Sequence, residues 1–453
     1  MLLKQIADYA VREQTSKLPP EAIHHAKRAV LDWYASLLPG SRVAPATLLE
    51  LALADELDHG RARLASGRRA SVRAAALING AASHSVEFDD IWRDAVYHPA
   101  SPVISAALAV AQSQGVNGEQ FLRGVIVGYE VSTRIGDAIM PSHYKYWHTT
   151  GTVGTFGAAA AVATILRCNR EQFMHALGNA GTFAAGLQQA FRSEAMSKPL
   201  HGGHAAEAGA LAALAAAKGV TGVADILEGE VGFGAAMSVK PDWARATRGL
   251  GSDYHITRVT FKNHGCCGHT FAALDAVLEL KRKHGFAHQD VRKVRIATYK
   301  GGLDIVDNLH PEGDYQAKFS LQYTAAHALV YGSVRLNAFG PERLGNPEVR
   351  ALMQKIECVA DPELSKAFPG QRAASVEIEL ADGRKVAHFQ PNRKGDPEIP
   401  LSDEELNDKF VELAMPVLGE PAARALLKDL WALDTRKNVE FDAAERPAMR
   451  AAR

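Results

Sequence analysis

Three successive segments made almost entirely of small apolar residues constrain the fold of this chain most. They read "TTGTVGTFGAAAAVATIL" at 149–166, "ALGNAGTFAAGLQQA" at 176–190 and "GHAAEAGALAALAAAKGV" at 203–220. The first is about as long as a membrane span, which takes roughly 18 apolar residues, but it is rich in Gly, Ala and Thr rather than Leu and Ile. Helices with such small side chains approach their neighbours closely. The sequence therefore predicts tightly packed inner helices, with 149–166 as a central core helix.

Helical periodicity dominates up to residue 258, with few alternating runs, and clear alternation of apolar and polar residues follows after it. The stretches "VRKVRIATY" (291–299) and "SVEIELADGRKVAHFQ" (375–390) have this pattern, which is typical of strands. In the second stretch, Asp-Gly at 382–383 separates two alternating runs, which indicates a β-hairpin.

A helical pattern resumes from residue 394, and Ser402 followed by Glu405 indicates a capping box at a helix start. The chain is therefore predicted to be mainly α. Residues 1–258 and 396–453 would form a large all-helical domain, and residues 259–395 an inserted, smaller α+β domain.

Charge and cysteine content exclude several classes of protein. The 453 residues include 51 Lys plus Arg and 51 Asp plus Glu, so the formal charge is zero. No basic face indicates nucleic acid or an anionic membrane as a partner. Four unevenly spaced cysteines do not form a disulfide framework, which favours the cytoplasm. The N-terminal "MLLKQIADYAVREQ" has helical periodicity with interspersed charges, so it is predicted to be a surface helix and not a signal peptide.

The stretch "MSKPLHGGHAAEAGA" (196–210) carries a lysine where no other cation is near in sequence. Pro199 biases Lys198 toward extended backbone, and Gly202-Gly203 would form a flexible turn before an Ala-rich helix. The first N–H groups of a helix have no intrahelical partner and attract anions. The stretch therefore predicts an anion site with Lys198 at its mouth.

The same arrangement of a basic residue before a predicted helix occurs three more times. In "YWHTTGTVG", His148 precedes Thr149 and Thr150, which would cap the helix. In "FKNHGCCGHTFAALDA", Lys262 and His264 precede a Gly-Cys-Cys-Gly loop and a helix, and in "DAVYHPASPVIS" His98 precedes another.

Each of these residues also has a purely structural interpretation, because a lone histidine at a helix start is more often structural than functional. Asp89-Asp90 could bind a metal or cap a helix, and their spacing favours capping. The adjacent Cys266 and Cys267 fit neither a redox motif nor a zinc site, so they are predicted to be small packing residues, with a reactive thiol as the alternative. His84, His201 and His204 could support the site or be structural. No metal site is predicted.

Five motifs, in this order, resemble the MmgE/PrpD family over nearly the whole chain: "EFDDIWRDAVYHPAS", "WHTTGTVGTFGAAAA", "SKPLHGGHAAEAG", "FKNHGCCGHTFAALDA" and "AKFSLQY". The family includes 2-methylcitrate dehydratase, cis-aconitate decarboxylase and iminodisuccinate epimerase. The resemblance implies a helical domain with an inserted lid, a cleft between them, a homodimer, and neither metal nor organic cofactor.

The resemblance also implies the site residues. The catalytic residues would be His98, His148, Lys198 and Tyr323. The substrate-binding residues would be Glu87, Asp89, Asp90, Lys262, His264 and Cys267.

The reactions of this family move a proton at a carbon next to a carboxylate or imine. Such a proton is weakly acidic, so cations must stabilise the enediolate and an acid or base must work near neutral pH. Lysine suits the first role and histidine the second. One of His98 and His148 would take the proton, and the other, or Tyr323, would protonate the departing hydroxyl.

One position departs from the family pattern. Ile91 stands where relatives often have Thr or Ser, and it cannot donate a hydrogen bond. The sequence therefore predicts a lyase that dehydrates or hydrates a small polycarboxylic acid, and does not define the substrate. The alternatives are cis-aconitate decarboxylation, epimerisation of a substituted succinate, and a non-catalytic carboxylate-binding protein.

Overall fold

The computed structural model describes residues 1–192 and 195–441, which divide into two compact units. The first unit contains residues 1–260 and the described part of 402–453, and the second contains residues 261–401. The described chain is mainly α-helical with small sheets, as predicted. The prediction that the larger domain is all-helical is wrong, because Leu57–Arg63 and Arg69–Ala70 pair as a two-stranded antiparallel sheet. The first of these strands is mostly exposed and lacks regular apolar alternation, so the sequence pattern does not indicate it.

The helices of the described residues are, in chain order, α1 Leu2–Glu13, α2 Pro20–Gly40, α3 Ala46–Ala52, α4 Val72–Ser83, α5 Ala100–Gln114, α6 Gly118–Ile139, α7 Thr149–Ile165, α8 Arg170–Phe183, α9 Ser197–Ala216, α10 Phe233–Met237, α11 Ala244–Thr247, α12 Phe271–His284, α13 Lys300–Val306, α14 Asp314–Lys318, α15 Leu321–Tyr331, α16 Pro341–Leu344, α17 Pro347–Met353, α18 Pro362–Ala367, α19 Asp403–Leu418 and α20 Glu420–Trp431. The strands are β1 Leu57–Arg63, β2 Arg69–Ala70, β3 Val291–Thr298, β4 Ile356–Ala360, β5 Ala374–Leu380 and β6 Lys385–Gln390.

Helix α7 is the centre of the first unit, which confirms the core helix predicted at 149–166. Every residue of α7 is buried, and the helix packs against α5, α6, α8 and α9. The approach is close because the facing residues are small: a Cβ on Gly209 of α9 would lie 2.5 Å from the Thr155 carbonyl oxygen. No helix in the ranges 1–192 and 195–441 is long and apolar enough to cross a membrane.

The C-terminal helix α19 returns to the N-terminal part of the first unit and packs on α2. Ser402 and Glu405 form the predicted capping box at its start. Lys409 of α19 is fully buried and donates to the Asp32 carboxylate (2.5 Å) and to the Phe88 carbonyl oxygen (2.9 Å). Lys409 of α19 thus connects this helix to α2 and to the acidic segment, residues 87–90, that precedes His98.

The second unit is built on a four-stranded sheet with the order β4-β3-β5-β6. Strand β3 is parallel to β4 and antiparallel to β5, and β5 pairs antiparallel with β6. The predicted hairpin is confirmed, with Gly383 at φ +86° in its turn. Helices α12 and α15 pack on each other, and their apolar faces share a buried core with strands β3 and β5.

Candidate active site

The acidic segment after α4 has an unusual backbone. Glu87 has φ +60° and Val96 has φ +47°, in the left-handed region that non-glycine residues, and β-branched ones above all, rarely adopt. Trp92 and Tyr97 exchange two backbone hydrogen bonds that close the turn containing Val96. Such strain costs about 1–3 kcal/mol per residue and concentrates at functional sites. The turn places His98 directly before α5.

Asp89 lies between two imidazoles. Its Oδ2 is 2.6 Å from Nδ1 of His84 and 3.3 Å from Nδ1 of His98. The side chains of Asp89 and His84 are fully buried, whereas that of His98 is 12% exposed. The carboxylate therefore orients the His84 ring by a hydrogen bond and lies within ion-pair distance of the His98 ring. Burial lowers the pKa of His84, although the Asp89 carboxylate opposes the shift.

Asp90 is held by the protein scaffold. Its Oδ1 accepts from the backbone N–H of Ala100 (3.0 Å) at the start of α5, and its Oδ2 accepts from the Tyr129 hydroxyl (2.8 Å). Burial, assisted by the charge of Asp32, raises the pKa of Asp90 well above its usual value. Asp90 is not the N-cap residue of α5, which is Pro99, but it accepts from one of the N–H groups at the start of that helix from outside it. Its contact with substrate stays a prediction.

His148 occupies the N-cap position of α7. Thr149 and Thr150 are therefore the first helical residues, and the prediction that they cap the helix is wrong. The Thr150 hydroxyl instead accepts from the backbone N–H of His98 at 3.2 Å. The His148 ring stacks on that of His84, with centroids 5.5 Å apart.

The electrostatics of His148 follow from its burial. The side chain is buried, and its Nδ1 lies 3.0 Å from Nδ1 of His201. Burial, together with the nearby His84 and His201, holds the pKa of His148 well below its usual value. The ring is therefore neutral at pH 7 and can accept a proton.

Lys198 lies inside α9 and not before it, so the predicted extended backbone and Gly202-Gly203 turn are wrong. The helix begins at Ser197, and Pro199 is tolerated because the first-turn N–H groups need no intrahelical partner. The two glycines allow α4 to approach: a Cβ on Gly203 would lie 2.3 Å from the Leu77 carbonyl oxygen. The anion at Lys198 is the Glu87 carboxylate, to which its Nζ donates.

The ammonium of Lys198 also lies over the Phe191 ring, 5.6 Å from its centroid. An ammonium has three donors, so bonding to Glu87 leaves capacity for a second anion. Lys198, His148 and His98 thus belong to one buried group of basic side chains together with Asp89 and Glu87.

The second unit holds the other predicted residues. Lys262 is buried, and Nε2 of the buried His264 donates to Asp275 Oδ1 at 2.9 Å. The other Asp275 oxygen accepts from the backbone N–H of Lys394 (2.7 Å). Sequence reasoning missed Asp275, which lies in α12 within an ordinary amphipathic pattern.

The Gly-Cys-Cys-Gly loop precedes α12 as predicted. The Cys267 backbone N–H donates to the Lys318 carbonyl oxygen (2.9 Å), and the Cys266 thiol contacts the Thr270 hydroxyl (3.2 Å). Burial raises the pKa of Cys266 to about 12, which makes it a poor nucleophile. These contacts support the packing interpretation over a reactive Cys266.

Tyr323 is fully buried on α15, within the core of the second unit. Its hydroxyl donates to the Ala338 carbonyl oxygen at 2.5 Å, and burial raises its pKa to about 12. The phenolic proton is thus committed to a backbone carbonyl. To act as an acid, Tyr323 would have to break this hydrogen bond and donate the proton to the substrate instead. That role stays a prediction.

One group of side chains has donors suited to a metal. One atom each of His84, Asp89 and His98 lies within 4.8 Å of the others. Imidazole and carboxylate donors suit transition metals. However, the 2.6 Å distance from His84 Nδ1 to Asp89 Oδ2 is that of a hydrogen bond with a shared proton. The geometry therefore fits a carboxylate that is hydrogen-bonded to His84 and close to His98 better than a coordination sphere.

The fold and this group of residues define a helical protein with a buried cluster of histidine, lysine and carboxylate side chains. The MmgE/PrpD N-terminal domain matches residues 4–246, and the MmgE/PrpD C-terminal domain matches residues 264–433. The chain therefore belongs to the MmgE/PrpD family of lyases.

Curated relatives share sequence over most of their length. A cis-aconitate decarboxylase-like protein of Aspergillus oryzae is 29% identical, with 96% of this chain and 95% of the relative covered. The cis-aconitate decarboxylase of Homo sapiens is 30% identical over 78% of this chain and 75% of its own. A mitochondrial 2-methylcitrate dehydratase of Yarrowia lipolytica is 26% identical over 75% and 67%, respectively.

Proposed function

We propose that the protein is a lyase that dehydrates or hydrates a small di- or tricarboxylic acid, in the manner of 2-methylcitrate dehydratase. One observation carries this proposal: two imidazoles with different surroundings lie in the same buried group as Lys198. His98 is next to the Asp89 carboxylate, and His148 is bonded to a neutral ring. Elimination of water needs an acid and a base, and different surroundings give two similar side chains different roles.

His148 is proposed as the base. Burial lowers its pKa and so keeps the imidazole neutral, with a nitrogen free to take the proton from the carbon next to a carboxylate. His98, next to the Asp89 carboxylate, would then protonate the departing hydroxyl. Lys198 would bind a substrate carboxylate and stabilise the enediolate charge in a water-poor environment, where such contacts are strongest.

The second unit would contribute Lys262 and His264 to carboxylate binding, as the family resemblance implies. The hydrogen bond that His264 donates to Asp275 supports this role, because it fixes the ring orientation. Tyr323 and Cys267 are assigned with them on the resemblance alone.

Decarboxylation of cis-aconitate is the second candidate. Two relatives with 29% and 30% identity are named for this activity. The same side chains would serve, since loss of carbon dioxide also leaves enediolate charge for Lys198 and a carbon for one histidine to protonate.

The reaction is proposed to need neither metal nor organic cofactor, as in the family resemblance. A homodimer is proposed on the same ground. Location in the cytoplasm is proposed because all four cysteines are free.

A substrate panel tests this function. Citrate, 2-methylcitrate, malate and cis-aconitate are incubated with the protein, with and without EDTA, and followed by ultraviolet absorbance and by proton NMR in deuterium oxide. We expect an alkene to form from a hydroxy acid, equally with EDTA. His148→Asn should lower the rate by about 100-fold or more, as for loss of a general base, while His204→Asn on the exposed face of α9 leaves it unchanged.

The other outcomes separate the alternatives. Consumption of cis-aconitate with release of carbon dioxide would indicate the decarboxylase, and deuterium exchange alone the epimerase. An absence of any change would indicate a binding protein. Activity lost with EDTA and restored by a divalent ion would instead make His84, Asp89 and His98 metal ligands.

A further inference from the structure

His201 is a histidine that the proposed mechanism does not use, although its helix carries it to the same place as Lys198. The two residues are three apart on α9, so they lie on the same helix face. His201 is partly exposed, whereas its neighbour His148 is buried. His201 is therefore positioned where the buried group approaches the surface of the first unit.

The contact between the two rings requires a shared proton. Nδ1 of His148 lies 3.0 Å from Nδ1 of His201, and the rings are inclined at 50°. Two nitrogens at this distance form a hydrogen bond only when one carries the proton and the other accepts it. The tautomer of His148 is thus coupled to that of His201, and Nε2 of His148 is the remaining nitrogen that can act on a substrate.

The space for the His201 ring is built by two glycines. A Cβ on Gly186, at φ +137°, would lie 3.3 Å from Cγ of His201, and one on Gly151 would lie 3.1 Å from its Cβ. Gly186 is also bound to His148, whose backbone N–H donates to its carbonyl oxygen at 2.9 Å. The two rings are consequently held by one local arrangement of backbone.

We propose that His201 is a positioning and relay residue that sets the tautomer of His148 and exchanges its proton with solvent. The inference rests on the proposed function in one respect, namely that His148 is the base. The proton path itself depends only on the contact between the two rings and on the partial exposure of His201.

The proton transfers balance in three steps. Nε2 of His148 takes a proton from the substrate carbon, and the electron pair of the broken C–H bond stays on the substrate as the enediolate. The resulting imidazolium passes its Nδ1 proton to Nδ1 of His201. His201 then releases its Nε2 proton to water, so both rings are neutral but in the opposite tautomers. The starting tautomers return when His201 Nε2 takes a proton from water, the Nδ1 proton passes back to His148, and His148 Nε2 gives up the substrate proton as product leaves.

The path is tested without substrate by NMR of the full chain labelled with nitrogen-15 histidine, with the His148 signals assigned by their loss in His148→Asn. We expect a hydrogen-bonded Nδ1 signal for His148 whose proton exchanges with water. In His201→Phe, which keeps an aromatic ring, that signal should shift and its exchange slow by about tenfold or more. His204→Asn, one helical turn further along α9, is the matched control and should change neither. An unchanged His148 signal in His201→Phe would overturn the proposal.

Kinetics separate a relay from a purely structural role, using whichever acid of the substrate panel is turned over. His201→Phe and His201→Asn should both lower kcat by about tenfold or more with KM within about twofold, because neither side chain can pass a proton between nitrogens. Asn can still hydrogen-bond His148, so full activity in His201→Asn would reduce His201 to a hydrogen-bond partner and overturn the relay. Free imidazole should restore part of kcat in His201→Asn.

The NMR and kinetic measurements test the proton path and the proposed function independently of each other. If no acid of the panel is turned over by the wild type but the NMR changes are found, the proposed function fails and the proton path stands. If turnover is found and His201 variants keep both their NMR signals and kcat, the proposed function stands and the relay fails.

Discussion

The pairing of Lys198 with Glu87 changes what a single substitution in this site does. The two charged groups are nearly buried, and Glu87 reaches the ammonium from a backbone with φ +60°. A buried carboxylate that loses a charged partner is destabilised, because the desolvation cost remains. The sequence alone predicts that Lys198 faces only the substrate. Replacing Lys198 would then lower the catalytic rate and hardly change the stability.

We therefore expect Lys198→Met to lower both activity and stability. Loss of a charge-assisted contact in a desolvated site costs about 2–4 kcal/mol, which is a fall of about 30- to 1,000-fold in kcat/KM. Stability should fall by up to about 3 kcal/mol through the Glu87 carboxylate. The value of kcat/KM is measured with the panel acid that is turned over, and the free energy of unfolding is measured by denaturant unfolding.

The double variant Lys198→Met/Glu87→Gln separates the two effects. It removes the unpaired charge, so most of the stability should return while kcat/KM stays low. His204→Asn is the neutral control. Retention of more than about a third of wild-type kcat/KM in Lys198→Met would contradict a role in carboxylate binding.

The candidate site was predictable from the sequence in its residues and not in its pairings. His98, His148 and Lys198 stand in motifs that can be found along the chain. Their partners Glu87, Asp89 and His201 are separated from them by up to 111 positions or by a strained turn. No local sequence pattern indicates which carboxylate pairs with which basic side chain, because the pairing depends on how α4 and α9 pack.

At the scale of elements, the glycines of α9 explain why its start was misplaced. Gly202 and Gly203 favour a turn by local propensity. Packing overrides that propensity, since a Cβ on Gly203 would collide with α4, and one on Gly202 would lie 2.3 Å from the Ser101 hydroxyl oxygen. The two glycines are therefore needed for the close packing of α9 against its neighbouring helices. Small residues within a helix are a sequence signal for such close packing as well as for a turn.

Helix α19 supports the acidic segment through Lys409. Replacing Lys409 by Met removes the buried partner of Asp32 and the donor to the Phe88 carbonyl oxygen. Breaking a buried pair on one side costs about 3–5 kcal/mol, so Lys409→Met should lower the free energy of unfolding by about that amount. Denaturant unfolding at neutral pH measures it.

A matched lysine is available on the next helix. Lys428 of α20 is exposed, and Lys428→Met should change stability by less than about 0.5 kcal/mol. Lys409→Met/Asp32→Asn should recover part of the loss, because it removes the uncompensated carboxylate. Equal stability of the two single variants would show that the Lys409 contact contributes nothing.

At the scale of the whole molecule, the class of fold was predictable because two periodicities separate along the chain. Small apolar residues at helical spacing predicted the core helix α7, and alternation with Asp-Gly predicted the β5–β6 hairpin. The order of the sheet was not predictable. Strand β4 pairs with β3 in parallel, and its short sequence "IECVA" does not indicate which strand it pairs with.

The contribution of the second unit to substrate binding is the last expectation that can be measured. The family resemblance assigns Lys262 a contact with substrate, and its loop is held by backbone hydrogen bonds from Gly265 to Val334 and from Cys267 to Lys318. A carboxylate bound at Lys262 would order this loop further and slow opening of those bonds. With a panel acid at saturation, we therefore expect amide hydrogen exchange at 262–268 to slow by about tenfold or more. The β5–β6 turn at 381–384 should exchange as before and serves as the control, and Lys262→Met should abolish the protection. Slower exchange at 146–151 near His148 with unchanged exchange at 262–268 would show that the acid binds the first unit and that Lys262 does not contact it.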